Sequence, residues 1–322
     1  MNFTPTYRPP AWLRLGGGHL QTILPALYRK VEGIDYHRER LWLPDEDFLD
    51  LDWLRHPAAT SPRLAILSHG LEGDSHRPYL MGMAKHLYNC GYDVLAWNFR
   101  SCSGEMNLQK RFYHSGATED LRFLVNWVNE KQQYQQIDLV GFSLGGNLTL
   151  KYLGEETPPP IIGKSVVFSV PTDLGGASER ISTGFSKVYS DRFMRTLTQK
   201  IRLKAAKVPE IDLAPLALLK TLKDFDDVYT APLHGFGTAA NYYASCSANR
   251  FIADIQTPTL IVNAQNDPFL SAACYPKHLT QKHEFVTLET PEQGGHCGFT
   301  QTGLHDVYWS ELRCESFLLG KN

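Results

Sequence analysis

The sequence predicts an α/β fold, a mostly parallel sheet wrapped by helices and opened by an antiparallel hairpin. Three observations carry this expectation. Short apolar runs rich in Val, Ile and Leu recur along the chain. Amphipathic stretches of helical length alternate with them. One run, "IDLVGFSLGGNLTL" (137–150), passes from buried strand to helix through a crowded Gly-x-Ser-x-Gly turn. Strands buried on both faces read as continuous apolar runs, and alternation with helices implies parallel crossovers.

Taken in order, the N-terminal arm carries Pro, Gly and aromatic residues without clear periodicity. "RERLWLP" (38–44) and "FLDLDWL" (48–54) flank "DED" and alternate apolar with polar residues, the pattern of a hairpin. Buried strands are expected at 64–70, 93–100, 137–143, 164–170, 257–267 and 283–290, and helices at 78–91, 117–131, 145–155 and 305–319. From Thr172 to Asp254 the chain reads as helical with no buried strand, so 172–254 is expected to be a helical cap inserted between sheet strands of a single domain spanning 1–322.

With 322 residues and 43% hydrophobic content, the chain can fill a large core. The formal charge is -2, and no Lys/Arg block stands out along the sequence, which argues against nucleic acid and against an anionic-membrane patch. No run of membrane-spanning length occurs, so no stable membrane insertion is expected. The six cysteines show no CxxC pair, which fits a reducing, cytoplasmic setting without disulfides or zinc.

The turn at 141–145 is where chemistry is expected. A strand-Gly-x-Ser-x-Gly-helix arrangement lifts the hydroxyl of Ser143 clear of a strained backbone, at a helix N-terminus that favours developing negative charge. The plainer alternative is a glycine-rich turn with an idle or capping serine. A hydroxyl needs an oriented base to become nucleophilic. Asp267, in "LIVNAQNDPFL", and His296, in the glycine-flanked "EQGGHCGF", supply acid and base in the order Ser, Asp, His found in α/β hydrolases. Their alternatives are a turn carboxylate and a loop histidine bonded to backbone. The N–H groups of Leu71, in "SHGLEG", and of Leu144 are assigned to an oxyanion hole, and His69 to a structural role. Arg100, Glu105, Arg111 and His114, in the loop 98–120, are read as holding loops together rather than binding substrate. Phe236, Tyr242 and Tyr243 are candidates for an apolar acyl slot, with ordinary packing the equal alternative.

These motifs together resemble the YheT-like family of α/β hydrolases. The resemblance rests on "GGGHLQTILP", "HGLEG", "NFRSCSGE" followed by "YHSG", "GFSLGGNLTLKYLGE", "LKDFDDVYTAPLHGFGTAANYY", "TPTLIVNAQNDPF" and "GGHCGF". It departs at Ser101, where the family often has Gly. The resemblance implies an α/β-hydrolase fold, a carboxylic ester hydrolase with Ser143, Asp267 and His296 as its triad, a helical cap, and no metal or organic cofactor. The implied partner is a small-molecule acyl ester, of short or medium chain or acylglycerol-like. Transfer of the acyl group to an alcohol is the alternative reaction, and a binding protein without the chemistry is the second alternative.

Overall fold

The computed structural model describes residues 6–57 and 61–321. Eight strands form one sheet in the order β1-β2-β4-β3-β5-β6-β7-β8. β1 (His37–Trp42) and β2 (Phe48–Leu54) are the expected hairpin, and β2 also runs antiparallel to β4 (Asp93–Asn98). From β4 onward the sheet is parallel through β3 (Arg63–Ser68), β5 (Gln136–Phe142), β6 (Ile162–Phe168), β7 (Thr259–Val262) and β8 (Val286–Glu289).

Alternate residues of the central strands feed two separate cores, because successive side chains point to opposite faces. On one face Leu64, Ile66, Leu95, Trp97 and Leu139 meet Leu121, Leu124 and Leu148. On the other, Ala65, Leu67, Val94, Val140 and Phe142 meet Leu80, Met83, Leu87 and Trp309. The helices themselves are α1 (Ala11–Arg14), α2 (Gly17–Tyr28), α3 (Pro78–Asn89), α4 (Thr118–Glu130) and α5 (Leu144–Glu155). Between β6 and β7 run α6 (Leu174–Ile181), α7 (Lys187–Ala205), α8 (Leu222–Phe225), a π turn over Asp226–Thr230, α9 (Ala231–Leu233) and α10 (Ala239–Cys246). The chain closes with α11 (Lys277–Thr280) and α12 (Trp309–Leu319). The helical pair α1–α2 lies in the arm that showed no clear periodicity.

The hairpin is held by charge as much as by apolar contact. Asp50 and Asp52 on β2 are buried, and each faces an arginine in register across the hairpin, Arg40 at 2.8 Å and Arg38 at 2.7 Å. Burial works to raise the Asp52 carboxyl, but hydrogen bonds from Arg38, Ser75 and Asn98 outweigh it and hold the group below its usual range. Arg100 binds Asp120 at 2.7 Å and Asp47 and Asp45 at 2.8 Å each, tying the loop after β4 to α4 and to the β1–β2 turn. Ser101 adopts φ 62°, a conformation that favours glycine, and its Oγ donates to Asn107 at 2.5 Å.

Arg100→Met takes the cation from buried Asp47 and leaves buried Asp120 only the partly exposed Arg111, so unfolding free energy is expected to fall by about 3–5 kcal/mol. Arg111→Met removes a partly exposed neighbour of the same cluster and is expected to cost about 1 kcal/mol or less. Urea melts of both variants check the contrast, and equal losses would refute it.

Candidate active site

The loops that follow β3, β5, β7 and β8 converge at the carboxyl edge of the parallel sheet, where open α/β folds collect their reactive groups. Ser143 sits between β5 and α5 with φ 53° and ψ -120°. That backbone is enforced by crowding on either side. A Cβ on Gly145 would lie 2.5 Å from the carbonyl oxygens of Ser68 and His69, and one on Gly141 would lie 2.7 Å from the Gly145 oxygen. Only glycines let α5 pack this tightly against β3 and β5, and the serine between them has no conventional conformation open to it. Its own N–H donates to the Phe168 carbonyl at 2.9 Å, fixing the turn to β6.

His296 Nε2 lies 2.9 Å from Ser143 Oγ. Its Nδ1 faces both oxygens of Asp267, at 2.9 and 3.1 Å. With Nδ1–H donating to the carboxylate, Nε2 is free to accept the serine proton. The Asp267 side chain is fully buried, and its Oδ1 also accepts the Phe269 N–H at 2.9 Å. Burial alone would lower the His296 pKa, but the Asp267 charge, aided by Cys297, outweighs it and raises the ring above its ordinary value. Asp267 stands five residues past the end of β7 rather than at the strand's tip, because the ladder stops at Val262 and buried Asn263 pins the turn to Val170.

Two residues that sequence reasoning passed over hold this pair of loops in place. Gln21, buried on α2, accepts the Gly294 N–H at 2.8 Å and the Asn266 amide at 3.0 Å through Oε1, and donates to Gln293 at 2.7 Å. Thr22 Oγ1 accepts the His296 backbone N–H at 2.9 Å. Helix α2 thus clasps the Asp267 and His296 loops together. The contact is intimate, since a Cβ on Gly18 would fall 1.8 Å from the Asn266 oxygen and one on Gly298 would fall 2.1 Å from the Gln21 oxygen. The only available signal was "GGGHLQTILP", whose glycines carry no periodicity.

Leu71 and Leu144 both line the cavity beside Ser143, and the backbone N–H of neither donates to an acceptor among the described residues. The loop carrying Leu71 is pinned by hydrogen bonds. His69 Nε2 accepts the Phe99 N–H at 3.1 Å, so its Nδ1–H donates to the Gly70 carbonyl at 2.8 Å. Burial holds that ring neutral, with its pKa down at about 3. The Gly70 N–H donates to Tyr79 Oη at 2.9 Å. Glu72, at φ 53°, is bound by Tyr113 and by Lys200 of α7 at 2.8 Å each, which ties the helical segment to this loop.

The cavity over Ser143 encloses about 1080 Å³ including its open mouth. Its walls are chiefly apolar, with Phe193, Leu197 and Ile201 from α7, Leu222 and Phe225 from α8, and Phe269 stacked on the His296 ring at 3.9 Å. Tyr242 and Tyr243 line it as well. Phe236 does not. It faces a shallower neighbouring cleft and packs its ring on His114 and Tyr242. Of the loop residues 98–120, His114 reaches the cavity as a buried neutral ring, while Arg100, Glu105 and Arg111 are engaged in ion pairs. Among the described residues, His86, Cys90 and Glu315 bring potential metal-ligand atoms within 4.8 Å. They are already occupied with one another and with Lys321, and burial pushes the Cys90 thiol up to about 11.

Comparison with known proteins agrees with this architecture. The family model for the alpha/beta hydrolase fold matches residues 66–301. YheT of Escherichia coli, described as an esterase, is 37% identical over 93% of this chain and 89% of its own. Phospholipase ABHD3 of Mus musculus is 28% identical over 92% of this chain and 74% of its own. Monoacylglycerol lipase of Saccharomyces cerevisiae is 28% identical over 86% of this chain and 62% of its own. Among solved structures, the Pyrococcus furiosus esterase Pf2001 superposes with a TM-score of 0.59 at 16% identity, covering 99% of each chain. Its likeness speaks to the fold alone. By the family match and the YheT identity, the chain belongs to the alpha/beta hydrolase fold family, among its YheT-like members, and is a carboxylic ester hydrolase.

Proposed function

We propose that the protein hydrolyses carboxylic esters through an acyl-serine intermediate, with Ser143 as nucleophile, His296 as general base and Asp267 as the group that orients the imidazole. The observation that carries this reading is the relay of short contacts, 2.9 Å from Ser143 to His296 and 2.9 Å from His296 to buried Asp267. Ser143 Oγ attacks the ester carbonyl while His296 Nε2 takes its proton. The Leu71 and Leu144 N–H groups, without an acceptor among the described residues, receive the charge that develops on the carbonyl oxygen. His296 then returns the proton to the departing alcohol. Water, activated by the same ring, releases the acid and restores the serine. No step calls for a metal or organic cofactor.

The substrate class follows from the walls of the cavity. A slot lined by Phe193, Leu197, Ile201 and Phe225, with Tyr242 and Tyr243 beside them, favours an acyl chain by apolar burial. Short- and medium-chain acyl esters and acylglycerol-like lipids fit that chemistry. The relatives named as phospholipase and monoacylglycerol lipase support the lipid end of this range. The absence of cysteine pairing in the sequence favours a reducing, cytoplasmic setting.

Ser143→Ala is expected to lower turnover of p-nitrophenyl butyrate by about 10⁶-fold while the protein stays folded, and to abolish labelling by a fluorophosphonate probe. Surviving turnover or labelling would refute the nucleophile assignment. Asp267→Asn is expected to lower kcat by about 10⁴-fold. The base acts when neutral, so kcat/KM rises as pH passes upward through the His296 pKa. Removing the carboxylate removes what raises that pKa, and the acid limb of the remaining activity is expected to move to lower pH. An unmoved limb would exclude the assigned pair. Gln21→Leu is expected to reduce kcat about tenfold with KM unchanged, the signature of a positioning residue. A change confined to KM would contradict it.

A further inference from the structure

Helix α2 is amphipathic in the reverse sense. Its inward face carries the buried Gln21 and Thr22 that hold the Asp267 and His296 loops. Its outward face carries Leu20 and Leu27, an i, i+7 pair, with Leu27 59% exposed, and Tyr28 is exposed at the helix's last position. Trp12 and Leu15 continue the exposed apolar surface onto α1, Leu15 being 96% exposed. Phe185 and Val188, at the start of α7, are exposed by 58% and 57%. His19 joins the two elements, its ring 4.7 Å from Phe185 and bonded to Tyr189 at 3.2 Å. Tyr189 in turn meets Phe269, which stacks on His296. Several large apolar side chains left exposed on neighbouring elements mark a contact with something other than water.

The sequence argued against an anionic-membrane patch because its cations form no block, but scattered exposed cations on these same elements say otherwise. Residues 6–31 contain Arg8, Arg14, Arg29 and Lys30 and no acidic residue. Arg29 is buried against Glu311, while Arg8, Arg14 and Lys30 are exposed and have no ion pair among the described residues. Helix α7 carries six basic residues and one acidic. Lys200 and Lys204 turn inward to Glu72 and Asn107, and Arg192, Arg195 and Arg202 remain exposed without an ion pair among the described residues. Apolar anchors flanked by cations are the chemistry of peripheral binding to an anionic bilayer, with large side chains entering the headgroup boundary and cations meeting lipid phosphates. No helix among the described residues is long and apolar enough to cross a membrane, so the surface docks rather than spans.

We propose that α1, α2 and the start of α7 form a docking surface for anionic lipid, seated on the same helix that holds the loops of His296 and Asp267. The link to turnover rests on the ester-hydrolase reading, whereas the docking itself does not. Binding is therefore measured on Ser143→Ala protein, which separates failure of docking from failure of catalysis. The protein is sedimented with vesicles of pure phosphatidylcholine and with vesicles holding about 30 mol % phosphatidylglycerol. Preferential binding to the anionic vesicles, weakened by added salt, is the expected result. In that background Leu27→Ser/Tyr28→Ser is expected to lower partition about tenfold or more, and Arg14→Glu/Lys30→Glu to remove the preference for anionic lipid. With Ser143 intact, both double variants are expected to hydrolyse p-nitrophenyl butyrate as the parent does. No vesicle binding by the parent, or equal binding by parent and variants, would overturn the proposal. So would a dimer that Leu27→Ser/Tyr28→Ser dissociates without any vesicle binding, which would assign the surface to a second copy of the chain.

Discussion

The backbone at Ser143 is the constraint around which the site is arranged. A non-glycine residue at φ 53° costs on the order of 1–3 kcal/mol and persists only where its surroundings over-determine it. Here the surroundings are the parallel sheet itself. Gly141 and Gly145 bring α5 against β3 and β5 at distances that no Cβ permits, and the Ser143 N–H is committed to the carbonyl of Phe168. Relaxing the turn would require moving α5 away from β3 and β5 and breaking the Ser143–Phe168 hydrogen bond. The hydroxyl is therefore held where His296 can reach it by the same apolar burial that stabilises the fold.

Charge is used differently at the two edges of the sheet. At the hairpin edge, Asp50 and Asp52 are matched one to one with Arg40 and Arg38, and Asp47 and Asp120 share Arg100. Each of those carboxylates has a permanent cation, so the cluster joins segments and has little left for chemistry. Asp267 is as deeply buried but faces an imidazole, whose charge is optional. A carboxylate whose partner is cationic only part of the time makes the partner more willing to accept a proton. That difference in partner, rather than in burial, separates a structural carboxylate from one suited to orienting a base.

Much of this was legible in the sequence because it is local. The apolar runs marked all eight strands, and Gly-Phe-Ser-Leu-Gly marked the turn because glycine spacing and strand-helix context are read within fifteen residues. The order Ser143, Asp267, His296 required only that strand ends face one edge. What escaped is non-local. Helix α2 was not visible because it inverts the usual pattern, burying Gln21 and Thr22 while exposing Leu20, Leu27 and Tyr28, and because Gly16, Gly17, Gly18 and Pro25 interrupt it. Its polar face makes sense only beside loops 245 and 274 residues away in sequence. Phe236 was grouped with Tyr242 and Tyr243 by proximity in sequence, yet the turn before α10 points it to the outer cleft instead.

The histidines show why proximity to a cavity is not enough to identify a base. His114 lines the cavity that holds Ser143 and His69 is buried at the root of the Leu71 loop, and in each the cost of desolvation holds the ring neutral, reinforced at His114 by neighbouring His234. His69 further spends both nitrogens on backbone groups of Phe99 and Gly70. A ring so placed resists protonation at the moment a nucleophile must lose its proton. His296 experiences the same desolvation, but the charge of Asp267 reverses its sign. A base must be neutral before the reaction and stable as a cation during it, and a buried imidazole meets both demands only when an anion is built in behind it. That anion's loop is in turn held in place by the clasp of α2, so the least conspicuous helix of the sequence bears on the contact between His296 and Ser143.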